Sequence, residues 1–366
     1  MLPVSLPRSV TGLLDRFRGC FTAPTFTTFC GLACGFWAQP GLHTVTGMLI
    51  GARLEQAWHH ARAHRFFSGA RWSADQLGLV LLDLILAVLV PSGVPVRLVA
   101  DDTLMRRSGR KVFGTGWHHD PLAPGRHRIA WANNWVVLGV LVDLPFVPHR
   151  PVCLPILARL WQPKHTPGRL DLAVELVKLV CGHLGQRRVD LLVAGAYAGR
   201  QLRDLPRQVT VTCRLRADAR LHRLAPPHRL GTRGRPRTKG DRLPELTTIA
   251  GLQATPFALH QTTCYGHNGI AAIAGLRACG RRCSPPALCR SCWSATRPRP
   301  TASTWRWSPP TFRPPPPSWW NATRAGGRWR CASARPARTP ASAKPATAPA
   351  APWSAPCRSG WSATAW

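Results

Sequence analysis

Acidic residues are scarce in this chain of 366 residues. Only 15 Asp and Glu side chains oppose 49 Lys and Arg, which leaves a net charge of +34 and a pI of about 11.6. This imbalance argues against a basic partner and predicts a polyanionic one, most simply nucleic acid. GC-rich codons also favour arginine, alanine, glycine and proline, so base composition is a second source of the same charge.

Long apolar runs and a regular cysteine framework are also absent. The most apolar run, 77–90, is too short for a bilayer span, contains Asp83 and is typical of a buried helix. The 13 cysteines follow no disulfide spacing, and no secretory signal is apparent, which predicts reduced thiols. We therefore expect a cytoplasmic, nucleoid-associated protein that has no membrane partner.

The N-terminal region, residues 1–95, is predicted to be helical and to be a candidate DNA-binding region. A helix is expected from Arg53 to His64, and its arginines and histidines would form either a phosphate-contacting face or a solvated basic face. Ser73 is a candidate N-cap for a further helix over 74–90.

Residues 96–278 alternate strands with helices, which is typical of an α/β fold. A helix is predicted over 170–184, and strands are predicted over 96–101, 134–142 (central in its sheet), 188–193 and 208–215. The first strand ends in Asp101 and Asp102, followed by Thr103. Two adjacent carboxylates are costly to bury without a cation, so they are interpreted either as Mg²⁺ ligands or as the polar cap of a turn.

Two basic segments are candidate DNA contacts. Residues 216–243 form a basic insertion in which Arg235, Arg237 and Lys239 resemble an arm that reads a narrow minor groove; a mobile surface loop is the alternative. A second polar loop contributes Arg110 and Lys111. The nearby residues His118, His119 and Asp120 are expected either to lie beside a metal site or to belong to a turn or to the core.

The tail, 279–366, has a different composition. It contains no Asp, Glu, Val, Ile, Met or Tyr but nine of the 16 Trp residues, and no periodic apolar face can be drawn. This predicts a disordered, low-complexity segment without helix or strand. Read one base earlier, plausible codons of 291–297 can encode Val-Val-Leu-Val-Arg-Asp-Pro. We therefore infer that the chain leaves its ancestral reading frame near residues 277–280.

The tail also contains four closely spaced cysteines, Cys279, Cys283, Cys289 and Cys292. Their spacing includes a Cys-x-x-Cys pair, which zinc sites use. GC-rich DNA that is translated out of frame often encodes cysteine. A chance cluster is therefore the favoured interpretation.

An ordered set of motifs across residues 25–278 resembles DDE-class insertion-sequence transposases. The set comprises Thr-Val-Thr-Gly-Met-Leu at 44–49, His-Arg-Phe-Phe-Ser at 64–68, Asp-Asp-Thr at 101–103, Gly-Trp-His-His-Asp at 116–120, Asn-Trp-Val-Val at 134–137, Ala-Gly-Ala-Tyr at 194–197 and Arg-Gly-Arg-Pro-Arg at 233–237. The resemblance implies an RNase H-like mixed-sheet core after the helical region. It also implies DNA partners, namely terminal inverted repeats and target DNA, with a homodimer among the expected assemblies.

The resemblance further implies a site of three carboxylates. These would hold two Mg²⁺ ions that activate water and then a DNA 3′-hydroxyl, and the first carboxylate maps to Asp101 with Asp102 beside it. The second is expected at Ala194 or Gly195, where this chain has no carboxylate; Asp190 is out of position and is expected at the surface. The third is expected to have been lost with the frame.

We therefore expect a transposase by descent that is catalytically defective. The alternatives are a non-catalytic DNA-binding remnant and an unstable product.

Overall fold

The computed structural model describes residues 7–39, 44–109, 111–120, 128–147, 151–162, 167–215, 219–226, 237, 239–252, 257–264, 267–280, 289–296 and 299–307. A helical N-terminal region precedes a mixed β-sheet, as the sequence predicts. In this part of the chain, every helix is too short or too polar to cross a bilayer.

Five helices form the N-terminal region: α1 (Arg8–Asp15), α2 (Ala23–Ala38), α3 (Val45–Gly51), α4 (His60–Ser68) and α5 (Ala74–Leu89). The N-cap prediction is confirmed, because the Ser73 hydroxyl accepts a hydrogen bond from the Gln76 N–H at 3.3 Å. The helix predicted from Arg53 to His64 is wrong. Arg53 has a φ of 53°, a left-handed conformation that a helix cannot continue through.

Aromatic side chains hold the N-terminal helices together. The ring centroids of Phe21 and Phe29 lie 4.7 Å apart, and those of Phe66 and Trp72 lie 5.3 Å apart, both pairs stacked. The Trp72 indole N–H donates to the Phe66 carbonyl at 2.9 Å, so its polar end is satisfied inside the cluster. This packing fixes α4 and the segment before α5 against α2.

The first strands are β1 (Val96–Arg106), β2 (Thr115–His119), β3 (Ile129–Val142) and β4 (Val152–Trp161), followed by α6 (Arg169–Leu184), β5 (Val189–Val193) and β6 (Val209–Leu215). Five of these strands lie in the order β4-β3-β1-β5-β6. The first three are antiparallel, whereas β5 runs parallel to both β1 and β6. This arrangement is the predicted RNase H-like mixed-sheet core, and β3 is an inner strand, between β4 and β1.

One face of the core sheet is covered by α5 and α6. Leu82 of α5, Val177 of α6 and Leu138 of β3 are fully buried in the same cluster. The predicted inward face of β6 is confirmed, because Val209, Val211 and Cys213 belong to this cluster as well.

Strand β1 runs further than the sequence predicts. The predicted strand ends at residue 101, but the antiparallel ladder with β3 continues to the pair Arg106 and Ala132. Backbone pairing with β3 therefore sustains the strand where its apolar pattern stops. As a result, the two aspartates lie within a strand and not in a turn after it.

The remaining elements are β7 (Leu221–His222), α7 (Leu246–Gly251), β8 (Ala258–Cys264), β9 (His267–Gly280), β10 (Cys289–Thr296) and β11 (Arg299–Trp307). Strand β10 pairs with β9 and β11, and β11 pairs with β6. The prediction that 279–366 contains no strand is therefore wrong for β10 and β11. Residues 308–366 lie outside the described residues.

Candidate active site around Asp101 and Asp102

The two aspartates lie where the parallel part of the sheet ends. The ladder between β1 and β5 stops at Ala100 paired with Val193, so Asp101 is the next residue along β1. Successive side chains of a strand point to opposite faces. Asp102 therefore shares the α6-covered face with Ala100, whereas Asp101 points to the other face.

Asp102 is surrounded by hydrogen-bond donors. Its Oδ2 accepts from Arg169 Nη1 at 2.7 Å and from Asn134 Nδ2 at 3.1 Å. Its Oδ1 accepts from the Tyr197 hydroxyl at 3.3 Å. Both carboxylate oxygens are thus engaged, and the ion pair with Arg169, the first residue of α6, neutralises the charge.

Aromatic groups complete this side of the site. The Arg169 guanidinium carbon lies 5.0 Å from the Trp161 ring centroid, and the His118 ring lies 5.6 Å from the same ring. Burial lowers the pKa of His118. Its Nε2 is buried and has no hydrogen-bond partner among the described residues. The lowered pKa favours a neutral imidazole, which packs against Trp161.

Asp101 has a different environment. Its Oδ1 accepts a hydrogen bond from the Asp102 backbone N–H at 2.9 Å. Burial raises the pKa of Asp101 to about 7, and the neighbouring Asp102 carboxylate adds to the increase. A nearby cation would stabilise its charged form, but the cation present, Arg169, is paired with Asp102.

The position predicted for the second carboxylate lies directly beside Asp101. Ala194 and Gly195 follow the last residue of β5, and Gly195 begins a short 3₁₀ helix that ends at Tyr197. The Ala194 carbonyl accepts a weak hydrogen bond from Cys213 Sγ at 3.5 Å. Neither residue has a side-chain oxygen that could bind a metal.

Asp190 does not replace the missing carboxylate. The prediction that it lies at the surface is wrong, because only 5% of its surface is exposed. It is the second residue of β5 and is in register with Arg97, so it lies toward the opposite end of the strand from Ala194. Residues 246–366 contain no acidic side chain, so this segment supplies no later carboxylate.

Asp120 is accounted for by an ion pair. It is buried, and its Oδ2 accepts hydrogen bonds from Arg106 Nε at 3.0 Å and Nη2 at 2.6 Å. This pair ties the end of β2 to the end of β1. His119, in contrast, is exposed.

The predicted DNA contacts are only partly within the described residues. Lys111 and Arg237 are exposed and Lys239 is partly buried, whereas Arg110 and Arg235 lie outside the described part of the chain. In the N-terminal region, Arg62 is engaged internally. Its guanidinium lies 3.9 Å from the Trp58 ring centroid, and its Nε donates to Thr28 Oγ1 at 3.0 Å.

Three residues of the site were not predicted individually: Arg169, Asn134 and Tyr197. Asn134 and Tyr197 belong to motifs that resemble the transposases, so the order of those motifs was the available signal. Arg169 had no such signal, because it is one arginine in a chain rich in arginine.

The strand order, with a carboxylate on the first strand beside the end of a parallel neighbour, defines an RNase H-like nuclease core. In a comparison with protein families, the model of the DDE superfamily endonucleases matches residues 16–269. The chain belongs to this family. No curated protein matches the chain.

Nucleases of this family use divalent metal ions, but the side chains beside Asp101 do not supply the expected set of ligands. Among the described residues, no group of three or more His, Cys, Asp or Glu side chains could hold a metal ion. Asp101 and Asp102, both predicted as metal ligands, point to opposite faces of β1, and the oxygens of Asp102 are already engaged. The site therefore offers one open carboxylate.

Proposed function

We propose that this chain is a DNA-binding member of the transposase lineage that has lost DNA cleavage and strand transfer. The observation that carries the proposal is the pair Ala194 and Gly195 beside Asp101, where a metal site would need a second carboxylate. Two-metal catalysis requires several carboxylates, both to bind the ions and to offset their charge. Asp101 alone, with one oxygen bonded to the backbone, would bind Mg²⁺ weakly.

The charge of the chain supports DNA as the retained partner. A net charge of +34 favours phosphate contacts, and exposed Lys111 and Arg237 belong to the segments expected to make them. Terminal inverted repeats of the original element are the proposed preferred DNA, and association with chromosomal DNA is the expected location in the cell.

The proposal is tested with supercoiled plasmid that carries the element's ends. We expect no nicking with Mg²⁺ or Mn²⁺ above the level of Asp101→Ala, together with DNA binding that weakens steeply as salt rises. Nicking by the wild-type chain that is abolished in Asp101→Ala would contradict the loss of catalysis. Absence of binding at low salt would contradict the DNA-binding function.

A restored carboxylate gives a second measurement. Ala194→Asp or Gly195→Asp should tighten Mn²⁺ binding in calorimetry, because each adds a carboxylate beside Asp101. Gly182→Asp is the matched control. It adds the same charge at an exposed position of α6 with open space around it, and should leave Mn²⁺ affinity unchanged.

A further inference from the structure

An exposed aromatic surface lies at the end of the sheet, remote from the aspartates. We call Phe113, Trp117 and Trp131 the aromatic platform. Phe113 is 76% exposed and Trp117 is 67% exposed, and the rings of Trp117 and Trp131 meet edge to face with centroids 5.5 Å apart. Large aromatic side chains exposed together usually mark a binding surface.

The aromatic platform is held in place by hydrogen bonds. The Trp131 indole N–H donates to the Gly109 carbonyl at 3.2 Å, and Asn133 Nδ2 donates to the Phe113 carbonyl at 2.9 Å. The Thr115 hydroxyl donates to the Val112 carbonyl at 2.7 Å, which closes the turn before β2. The exposed rings therefore project from backbone that these hydrogen bonds hold in place, and little conformational freedom would be lost on binding.

The surroundings of the aromatic platform are cationic. Arg107, Lys111 and Arg128, in the segments that flank it, are exposed. The Arg107 guanidinium is oriented by a hydrogen bond from its Nε to Asn133 Oδ1 at 2.9 Å. The acidic residue closest in sequence, Asp120, is buried and paired with Arg106.

Strand register places Trp117 and Trp131 of the aromatic platform on the same face of the sheet as Asp101. Trp117 is paired with Trp131, and the Arg107 N–H bonds to the Trp131 carbonyl. Arg107 directly follows β1, and its N–H bond to Trp131 continues the pairing by one residue. It is six residues from Asp101, so the two side chains share a face and lie ~20 Å apart along the strand direction. A strand of DNA could therefore run from the platform toward Asp101 along one face.

We propose that the aromatic platform binds unpaired DNA bases by stacking, with the neighbouring cations contacting the phosphates. This inference rests on the proposed DNA-binding function and adds a preference for single-stranded DNA. Rigid aromatic rings beside cations are the combination by which proteins bind single strands without reading sequence, since every base has a face that can stack.

A second copy of the chain is the competing occupant. No described strand pairs with the outer edge of β2, and an open edge can accept another strand. Antiparallel pairing of two β2 strands would, however, bring the cations of both copies together. Charge therefore favours DNA at this surface.

The test compares three fluorescently labelled DNAs in anisotropy titrations: a dT oligonucleotide, an abasic oligonucleotide of the same length, and a duplex. The wild-type chain should bind dT more tightly than the abasic strand, which has the same phosphates. Trp117→Ala should weaken dT binding by roughly 5- to 150-fold, the range expected for loss of one stacked base. It should leave abasic and duplex binding unchanged, and Trp117→Phe should retain most of the dT affinity.

Phe146→Ala is the matched control, since Phe146 is 78% exposed after the end of β3, outside the segments expected to contact DNA, and should not affect dT binding. If Trp117→Ala does not fold by circular dichroism, Phe113→Ala, in the turn, replaces it and should also lower dT affinity. Equal wild-type affinity for dT and the abasic strand, or unchanged dT binding in the folded variant, would overturn the proposal. So would a dimer, in sedimentation, that Trp117→Ala converts to a monomer without a change in dT binding.

The two proposals fail differently. If duplex DNA binds but base stacking is not seen, only the platform is refuted. If none of the three DNAs binds, the DNA-binding function is refuted with it.

Discussion

At the scale of single residues, Asp101 and Asp102 show how strand geometry gives identical side chains different chemistry. The pleat directs Asp102 toward Arg169, Asn134 and Tyr197, which stabilise its charge. It directs Asp101 into a partly buried position, where its carboxylate accepts a hydrogen bond from the Asp102 backbone N–H and its pKa rises to about 7. The carboxylate that resembles a catalytic ligand is therefore the one without an ion pair among the described residues, and burial outweighs the attraction of Arg169.

The matched substitutions Asp101→Asn and Asp102→Asn should have opposite effects on stability. At pH 8 in EDTA, Asp101→Asn removes a partly buried charge and should raise the free energy of unfolding by roughly 1–3 kcal/mol. Asp102→Asn turns an amide N–H toward the hydrogen-bond donors that now surround the carboxylate. It should lower the free energy of unfolding by about 1–3 kcal/mol. Chemical denaturation of the two variants checks both signs.

The pH dependence of the free energy of unfolding tests the prediction for Asp101→Asn a second time. Because the folded pKa of Asp101 lies above its ordinary value of 3.8, the folded state holds the proton more tightly, and this stabilises the protein below about pH 4. That stability is lost as pH rises through about 7. The gain from Asp101→Asn should thus disappear near pH 4, and a gain independent of pH would contradict the raised pKa.

The sequence predicts that both aspartates lie at the end of the first strand, but not that their side chains point to opposite faces of the sheet. Alternation along the strand separates Asp101 from Asp102 only if the strand continues past them, and the apolar pattern stops there. The ion pair to Asp102 comes from Arg169, 67 residues later, through the packing of α6. Such a long-range contact leaves no local pattern in the sequence.

At the scale of elements, those with a complete local pattern were predicted well. Helices α5 and α6 and strands β5 and β6 match because an N-cap or an apolar periodicity encodes each of them. Elements fixed by backbone pairing were missed: the extension of β1 depends on β3, and β11 depends on β6.

Two helical glycines should respond in opposite ways to alanine. A Cβ at Gly78 of α5 would overlap the Ile156 carbonyl of β4, so Gly78→Ala should destabilise the protein by about 1–3 kcal/mol. Gly182 of α6 has open space, so Gly182→Ala should stabilise it by roughly 0.5–1 kcal/mol through helix propensity. Thermal unfolding of both variants measures the difference. A stabilising Gly78→Ala would mean that α5 does not pack this closely on β4.

At the scale of the whole molecule, the core sheet extends beyond the segment that matches the family. The match ends at residue 269, yet β10 and β11 continue the sheet to Trp307, with β11 paired along β6. Without β11, the edge of β6 would have unpaired N–H and C=O groups. An open edge of this kind promotes aggregation.

Truncation tests whether these late strands stabilise the fold. A chain that ends at residue 307 keeps every described strand, whereas one that ends at 288 lacks β10 and β11 and exposes the edge of β6. We expect the shorter chain to unfold at lower temperature and to aggregate in light scattering, while 1–307 remains dispersed and unfolds cooperatively. If 1–288 is as stable as 1–307, β10 and β11 contribute nothing to the core. The open edge of β6 would then be tolerated, and the fold would be complete without the segment that follows residue 288.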